Sequence, residues 1–231
     1  MNPISAPAII VAAGAGVRMK TPMRKQYLFL QDRPILAHTL AVFGKCATIN
    51  RIYLVIPEKD FDLVRKTIPT CCCKKKEVIL VAGGKERQDS VFNGLSALDN
   101  NDKYVVVHDG VRPLILPKMI EDCLNGAFKY RACIMGLAAT ETIKQVNIDH
   151  FIQKTLSRDN LWVAQTPQAF ECDLLRKAHH KAKTENFHGT DDSSLVERLG
   201  IMVKMIPGTP WNIKITTPED LILAESILAR F

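Results

Sequence analysis

With 231 residues, 47% of them hydrophobic and 24% charged, the chain can bury a substantial core, which excludes disorder, collagen and coiled coil. Lys and Arg total 31 against 24 Asp and Glu, so the formal charge is +7 and the pI about 9.0, a bias toward anionic partners that leaves nucleic acid, acidic membranes and phosphorylated metabolites open. Seven cysteines, at 46, 71 to 73, 123, 133 and 172, form no CxxC pair and read as reduced core or loop thiols rather than a disulfide framework or a zinc site.

The first apolar run, Ala6 to Val17, is twelve residues long, too short to span a bilayer, and no basic residue precedes it as in a signal peptide. A soluble, cytoplasmic chain with no membrane partner is expected. Within that run Ala8 to Ala13 reads as a strand. Further short apolar, β-branched runs follow at Arg51 to Ile56, Val78 to Ala82, Tyr104 to His108 and Cys133 to Leu137, the pattern of strands buried on both faces of a parallel sheet. Helical spacing lies between them: Ile35, Leu36, Thr39, Leu40 and Phe43; Phe61, Val64 and Ile68; Val91, Leu95 and Leu98; Ile120, Leu124 and Phe128. Strand and helix in alternation predict an α/β fold with helices on both faces of a mostly parallel sheet and ligands beyond the strands' C-terminal ends.

Residues 139–168 break the rhythm. ETIKQV and FIQKTLS flank a polar turn, Asn147 to His150, and predict a β-hairpin arm with too little apolar surface for its own core, suited to packing on a second subunit. Helices are then expected around Cys172 to Ala182 and Asp191 to Leu199, a strand at Ile201 to Ile206, and a last helix at Pro218 to Arg230 capped by Thr217. No linker or repeat divides the chain, so 1–231 reads as one domain carrying the arm.

Chemistry concentrates in three loops after strands. In AAGAGVRMKTPMRKQ, Ala12 to Gln26, small residues let backbone amides approach an anion while Arg18, Lys20, Arg24 and Lys25 supply charge for phosphates. Met19 stands where a dinucleotide fingerprint or a Walker A loop would need glycine, so the loop is neither. The second, Gly83 to Ser90, opens a helix whose free amides would face a ligand, and taken singly it reads equally as a turn followed by an ordinary helix cap. The third, His108 to Pro113, sets Asp109 at a strand end, with the chemistry of a Mg²⁺ or ribose ligand or of a plain ion-pair partner for Arg112. His108 there reads as a satisfied core-edge histidine more readily than as a general base.

In order, AAGxGxRM, KQYL, GGxxRxxS, HDGxRP, ETIK, LWxAQTPQxF, TDDSS and NIKITTPEDL resemble the 2-C-methyl-D-erythritol 4-phosphate cytidylyltransferases across nearly the whole chain. The resemblance implies a three-layer α/β/α nucleotidyltransferase fold and a reaction of CTP with a polyol phosphate that gives a CDP-polyol and pyrophosphate, with Mg²⁺ bound mainly through the CTP phosphates, on the non-mevalonate isoprenoid route. It implies a homodimer whose arm reaches the partner. Arg18 and Lys25 match the residues that stabilise charge on the α-phosphate. Arg158 and Lys214 match those that position the acceptor phosphate, with Thr142 and Thr166 as further contacts. Ala12, Ala13, Gly14, Gly84, Ser90, Asp109 and Gly110 would hold CTP, and Asp109 is the one candidate for touching the metal.

Lys214 shows what the resemblance adds, because NIKIT alternates apolar and polar residues and alone predicts only a strand with lysine on its solvent face. Arg24 stands where the family usually has Pro, Val17 where it more often has Gly or a polar residue, and Cys71 to Lys76 matches no motif of it. A ribitol 5-phosphate cytidylyltransferase shares the fold and many motifs, differing on the acceptor side. A nucleic-acid-binding protein is disfavoured by the lack of stacking aromatics among the loop cations, and a nicotinamide dehydrogenase by Met19. Charge distribution narrows the choice. Arg18, Lys20, Arg24 and Lys25 precede the first acid, Asp32, so the first 31 residues carry +4 of the +7, on a loop suited to a nucleoside triphosphate.

Overall fold

The computed structural model describes residues 5–16, 19, 23–67 and 76–230. β1 (Ala6–Val11) leads to a short ribbon, β2 (Phe29–Leu30) and β3 (Arg33–Pro34), then to α1 (Ile35–Lys45) and β4 (Ile49–Ile56). The alternation continues through α2 (Phe61–Thr67), β5 (Glu77–Ala82), α3 (Arg87–Ser96), β6 (Tyr104–Asp109), α4 (Pro117–Tyr130) and β7 (Ala132–Ala138). β8 (Ile143–Val146) and β9 (Ile152–Leu156) form a hairpin, and β10 (Trp162–Glu171), α5 (Cys172–Thr184), α6 (Asp192–Glu197), β11 (Lys204–Pro207) and α7 (Pro218–Leu228) complete the chain.

Seven strands make one sheet in the order β11-β7-β10-β6-β1-β4-β5. β1 is parallel to β4 and β6, β4 to β5, and β7 to β11, whereas β10 runs antiparallel between β6 and β7. Side chains alternate across the pleat, so Ala8 and Ile10 of β1 join one core with α1 and α4, while Ile9 and Val11 join another with α3, α5 and α6. Both faces of β1 are therefore dry, which is why its sequence is continuously apolar. The expectation of an α/β/α sandwich with a mostly parallel sheet holds.

β10 is the strand that the sequence concealed. Within 139–168 the hairpin β8–β9 ends before Trp162, where β10 begins and joins the main sheet. Its Gln165, Thr166, Pro167 and Gln168 spell a loop by composition, and Pro167 lacks a ladder donor. The register with β7 shifts between Ala164 and Gln168, so Pro167 falls where no regular pairing is required. The side chains of the buried Gln165, Thr166 and Gln168 bond instead to the Thr209 carbonyl, to His108 and to Asp191.

The other departures are smaller. Residues 212–216, expected as a strand, have no regular structure. They are pinned by Ile215 N–H on the Val111 carbonyl, 2.9 Å, and by Ile215 in an apolar cluster with Leu30, Ile35, Val111 and Ile227. The hairpin turn lies where expected and is an Asx turn, in which the Asn147 Oδ1 accepts from the N–H groups of Asp149 and Phe151 at 3.2 and 2.8 Å. Cys46, Cys123, Cys133 and Cys172 are buried free thiols. Cys71 to Lys75 lie outside the described residues.

Candidate active site

β1, β4, β5 and β6 end side by side, and beyond their C-terminal ends lies a cavity of about 590 Å³. Its wall takes Ala12, Ala13 and Gly14 from the first loop, Gly84 and Ser90 from the second, Asp109 from the third, and Lys25 and Lys214. Residues two hundred positions apart in sequence thus meet at one sheet edge. Arg24, Lys85 and Arg87 add charge to that wall, and Glu58 and Glu86 are its remaining acids. The excess of cations is matched to a polyanion.

β1 stops at Val11, two residues sooner than expected, which frees Ala12 and Ala13 for the loop. Gly16 has φ +72°, a left-handed conformation that disfavours a side chain, and a Cβ there would come 3.1 Å from the Lys25 Cγ. The buried Gln26 donates to the Ala12 carbonyl at 2.7 Å. Arg24 binds the Ala13 and Gly14 carbonyls at 3.3 and 3.4 Å and reaches the Asp60 carboxylate at 3.4 Å. The residue that departs from the family's proline is therefore a strut between the loop and the chain after β4. Arg18 and Lys20 lie outside the described residues.

In the second loop, close approach explains the glycine pair, since a Cβ on Gly83 would lie 2.3 Å from that of Ala13. The amides of this pair are not open to a ligand as expected. Gly83 N–H donates to the Ile56 carbonyl at 2.8 Å and Gly84 N–H to the Ser90 Oγ at 3.1 Å, so Ser90 shapes the loop from beneath.

Asp109 is 5% exposed and anchors a cluster of charges. Its Oδ1 accepts from the Arg87 Nε at 3.0 Å, its Oδ2 lies 2.7 Å from the Lys214 Nζ, and the Arg112 Nε stands 3.9 Å away. Burial alone would raise the Asp109 pKa, but the charges of Arg87, Lys214 and Arg112 outweigh it and hold the carboxyl far below the usual range. Asp109 is ionised; its close partners are Arg87 and Lys214 rather than the expected Arg112, and the same group lines the cavity. Arg87 continues to Asp192, with Nη1 2.8 Å from Oδ2, and the Asp192 Oδ1 lies 3.4 Å from the buried His179 Nε2.

Behind Asp109, His108 is fully buried and burial pushes its pKa down to about 3, so the ring is neutral. A carbonyl only accepts, hence the Nε2 at 3.2 Å from the Arg112 oxygen carries the proton, and Nδ1 accepts from the Thr166 hydroxyl at 3.0 Å. That hydroxyl oxygen in turn accepts the Asp109 N–H at 3.1 Å. His108 is thus a satisfied core histidine, not a base, and Thr166 sets the backbone of Asp109 from a position outside the cavity wall. Gly110 is likewise behind the wall, where its carbonyl accepts from Thr39 at 3.0 Å and a Cβ would meet that of Ala12 at 2.9 Å.

Thr142 and Arg158 are exposed at the root of the arm, where the Arg158 Nη1 donates to the Thr140 carbonyl, and neither lines the cavity of its own chain. Lys214 does, because Ile213 and Ile215 on either side of it pack into the cluster beneath α7. Arg87, Asp192 and Gln26 received no role from the sequence, and Arg24, read there as a phosphate charge, also braces the loop through the Ala13 and Gly14 carbonyls. Arg87 and Asp192 stand in the motifs GGxxRxxS and TDDSS, yet only the fold brings those motifs together.

Among the described residues the cavity therefore offers placed cations around a buried, ionised carboxylate, the equipment of charge neutralisation and positioning. Among known proteins, a model of the family described as IspD, 2-C-methyl-D-erythritol 4-phosphate cytidylyltransferase, matches residues 6–230. Enzymes of that name from Syntrophus aciditrophicus and Syntrophotalea carbinolica are 45% and 47% identical to the chain, covering 96% and 95% of it and 95% and 94% of their own lengths. The crystal structure of 4-diphosphocytidyl-2C-methyl-D-erythritol synthase from Anaerococcus prevotii superposes with a TM-score of 0.88 at 34% identity, covering 99% of this chain and 98% of that one. The Thermus thermophilus cytidylyltransferase gives a TM-score of 0.80 at 29% identity, with 99% of this chain and all of that one covered. The chain belongs to the 2-C-methyl-D-erythritol 4-phosphate cytidylyltransferase family of nucleotidyltransferases.

Proposed function

We propose that this cavity binds CTP and transfers its cytidylyl group to 2-C-methyl-D-erythritol 4-phosphate, giving 4-diphosphocytidyl-2-C-methyl-D-erythritol and pyrophosphate, a step of the non-mevalonate isoprenoid route. The observation that carries the reading is the meeting of Lys25, Lys214 and Asp109 with the small-residue loop at one sheet edge. Attack of a phosphate monoester oxygen on the α-phosphorus brings two anions together and needs no strong base. It needs the attacking and leaving oxygens in line and the added negative charge neutralised. Lys25, with Arg18, supplies charge at the α-phosphate; Ala12, Ala13, Gly14, Gly84, Ser90, Asp109 and Gly110 form or support the nucleotide's bed.

Mg²⁺ suits the donor set in one way only. Among the described residues no group of three His, Cys, Asp or Glu could hold a metal ion. A single ionised carboxylate, Asp109, combined with phosphate oxygens is how Mg²⁺ is commonly held. When bound with the nucleotide it would neutralise phosphate charge.

On the acceptor side Lys214 binds the incoming phosphate, and Arg158 and Thr142 are to be supplied by the arm of a second copy. Thr166 acts through Asp109. The support for a dimer is the arm itself, a two-stranded ribbon with no core whose Ile148, Phe151 and Ile152 are exposed by 93%, 72% and 63%. No helix among the described residues is long and apolar enough to cross a membrane. We place the enzyme in the cytoplasm, where CTP is available.

The test is pyrophosphate release from CTP with methylerythritol phosphate and with ribitol 5-phosphate. Release with the first at a kcat/KM at least about a hundredfold above the second is expected, since a site built to bond one acceptor's hydroxyls leaves its polar groups unpaired with another. Release with neither acceptor overturns the transferase reading, and preference for ribitol phosphate overturns the choice of acceptor.

A further inference from the structure

Asp192 raises a question that the transfer reaction leaves open. It is 1% exposed, sits on the first turn of α6, and does not line the cavity, yet it is an acid buried near the active site. An ion pair in such a place seldom earns its keep as stability, because desolvation cancels most of the Coulomb gain and an apolar residue would serve as well. Its geometry offers another reason. The Arg87 guanidinium bonds two carboxylates through two different nitrogens, Nε to the Asp109 Oδ1 at 3.0 Å and Nη1 to the Asp192 Oδ2 at 2.8 Å.

Arg87 also begins α3 directly after the Gly83–Glu86 loop, so one planar group ties that loop, the end of β6 and the start of α6 together. The two oxygens of Asp109 are held differently. Oδ1 is fixed by Arg87, whose other end is locked to a buried anchor, whereas Oδ2 meets Lys214, a flexible chain 35% exposed on the cavity wall. If Lys214 is drawn to an incoming phosphate, Oδ2 is released and Oδ1 is not.

We propose that Arg87 is a positioning residue for the transfer, a clamp that Asp192 anchors and that keeps the Asp109 carboxylate and the Gly83–Glu86 loop in fixed relation while Lys214 exchanges its partner from Asp109 to the acceptor. The proposal rests on the function proposed above. Arg87 touches neither reacting oxygen; it acts through Asp109. The charge alone is not sufficient, since a lysine offers a point donor where the clamp uses two sides of a planar fork.

The experiment compares the parent with R87K, D192N and the double variant in steady-state pyrophosphate release, varying CTP and methylerythritol phosphate separately, beside the melting temperature of each. R87K is expected to lower kcat by about ten- to a hundredfold, as small misplacements of a reacting geometry do, with the KM for CTP within about threefold of the parent's. D192N touches no substrate and is expected to lower kcat at least about fivefold. The double variant is expected to fall no more than about twofold below R87K, because both changes break one clamp. Folded variants with kcat within about twofold of the parent, differing only in melting temperature, would overturn the proposal, as would losses that multiply in the double variant. If one single variant does not fold, the kcat of the other decides by the same limits. A parent that releases no pyrophosphate overturns the underlying function, and with it the clamp, whereas an active parent with unaffected variants overturns the clamp alone.

Discussion

At residue scale, the third loop shows how neighbours in sequence take opposite electrostatic roles from their surroundings. Asp109 is buried against cations and stays charged; His108, one residue earlier, is stripped of water by burial, bonds neutral groups and stays uncharged. The histidine has a consequence for acid stability. An unfolded histidine binds a proton below its ordinary 6.5, while the folded one resists until about pH 3, so folding loses stability as the pH falls through that window and regains it as the pH rises. H108Q, which keeps a donor for the Arg112 carbonyl but cannot titrate, is expected to cost about 1–3 kcal/mol at pH 7 through poorer packing and hydrogen bonding. Between pH 6.5 and about 4.5, above the carboxylate range, its stability should fall less steeply than the parent's in urea titrations. Parallel pH curves would contradict a neutral His108.

At the scale of elements, the arm and the strand after it differ although the sequence joins them. The hairpin's exposed Ile148, Phe151 and Ile152 contribute no core to their own chain, so I148S/F151S is expected to leave the monomer's melting temperature within a few degrees while shifting light scattering at micromolar concentration from dimer to monomer. A dimer unchanged by the substitutions would remove the arm from the interface. Legibility in sequence followed the same physics. β1 and β6, dry on both faces, and α4, with its apolar stripe, were readable because burial leaves a periodic trace. β10 was not, since its buried stretch opens with Gln165, Thr166, Pro167 and Gln168, whose polar side chains bond to distant partners. Alternation alone left Lys214 a solvent-facing strand lysine that only the resemblance placed at the site, because Ile213 and Ile215 pack in a loop rather than a strand. The loops themselves were legible from small residues and charge; Arg87 to Asp192, 105 positions apart, is a contact that only the fold creates.

For the whole molecule, the proposed dimer would make one copy of the chain half an active site. Its cavity carries Lys25, Lys214 and Asp109, and its Thr142 and Arg158 stand exposed on the arm outside that cavity. On the proposed reading, cavity and arm are complementary halves that a second copy unites, with the early concentration of positive charge assigned to the nucleotide half. The most direct measurement is subunit mixing. K25A removes a charge at the α-phosphate and is expected to lower turnover by about two to three orders of magnitude, and R158A to weaken the acceptor grip severely. In a dimer with shared sites, re-equilibrating equal amounts of the two variants makes half the dimers mixed, each with one site that has both intact parts. Pyrophosphate release should then return to about a quarter of the parent's rate. A mixture that stays at the average of its two components would contradict a site built from two copies.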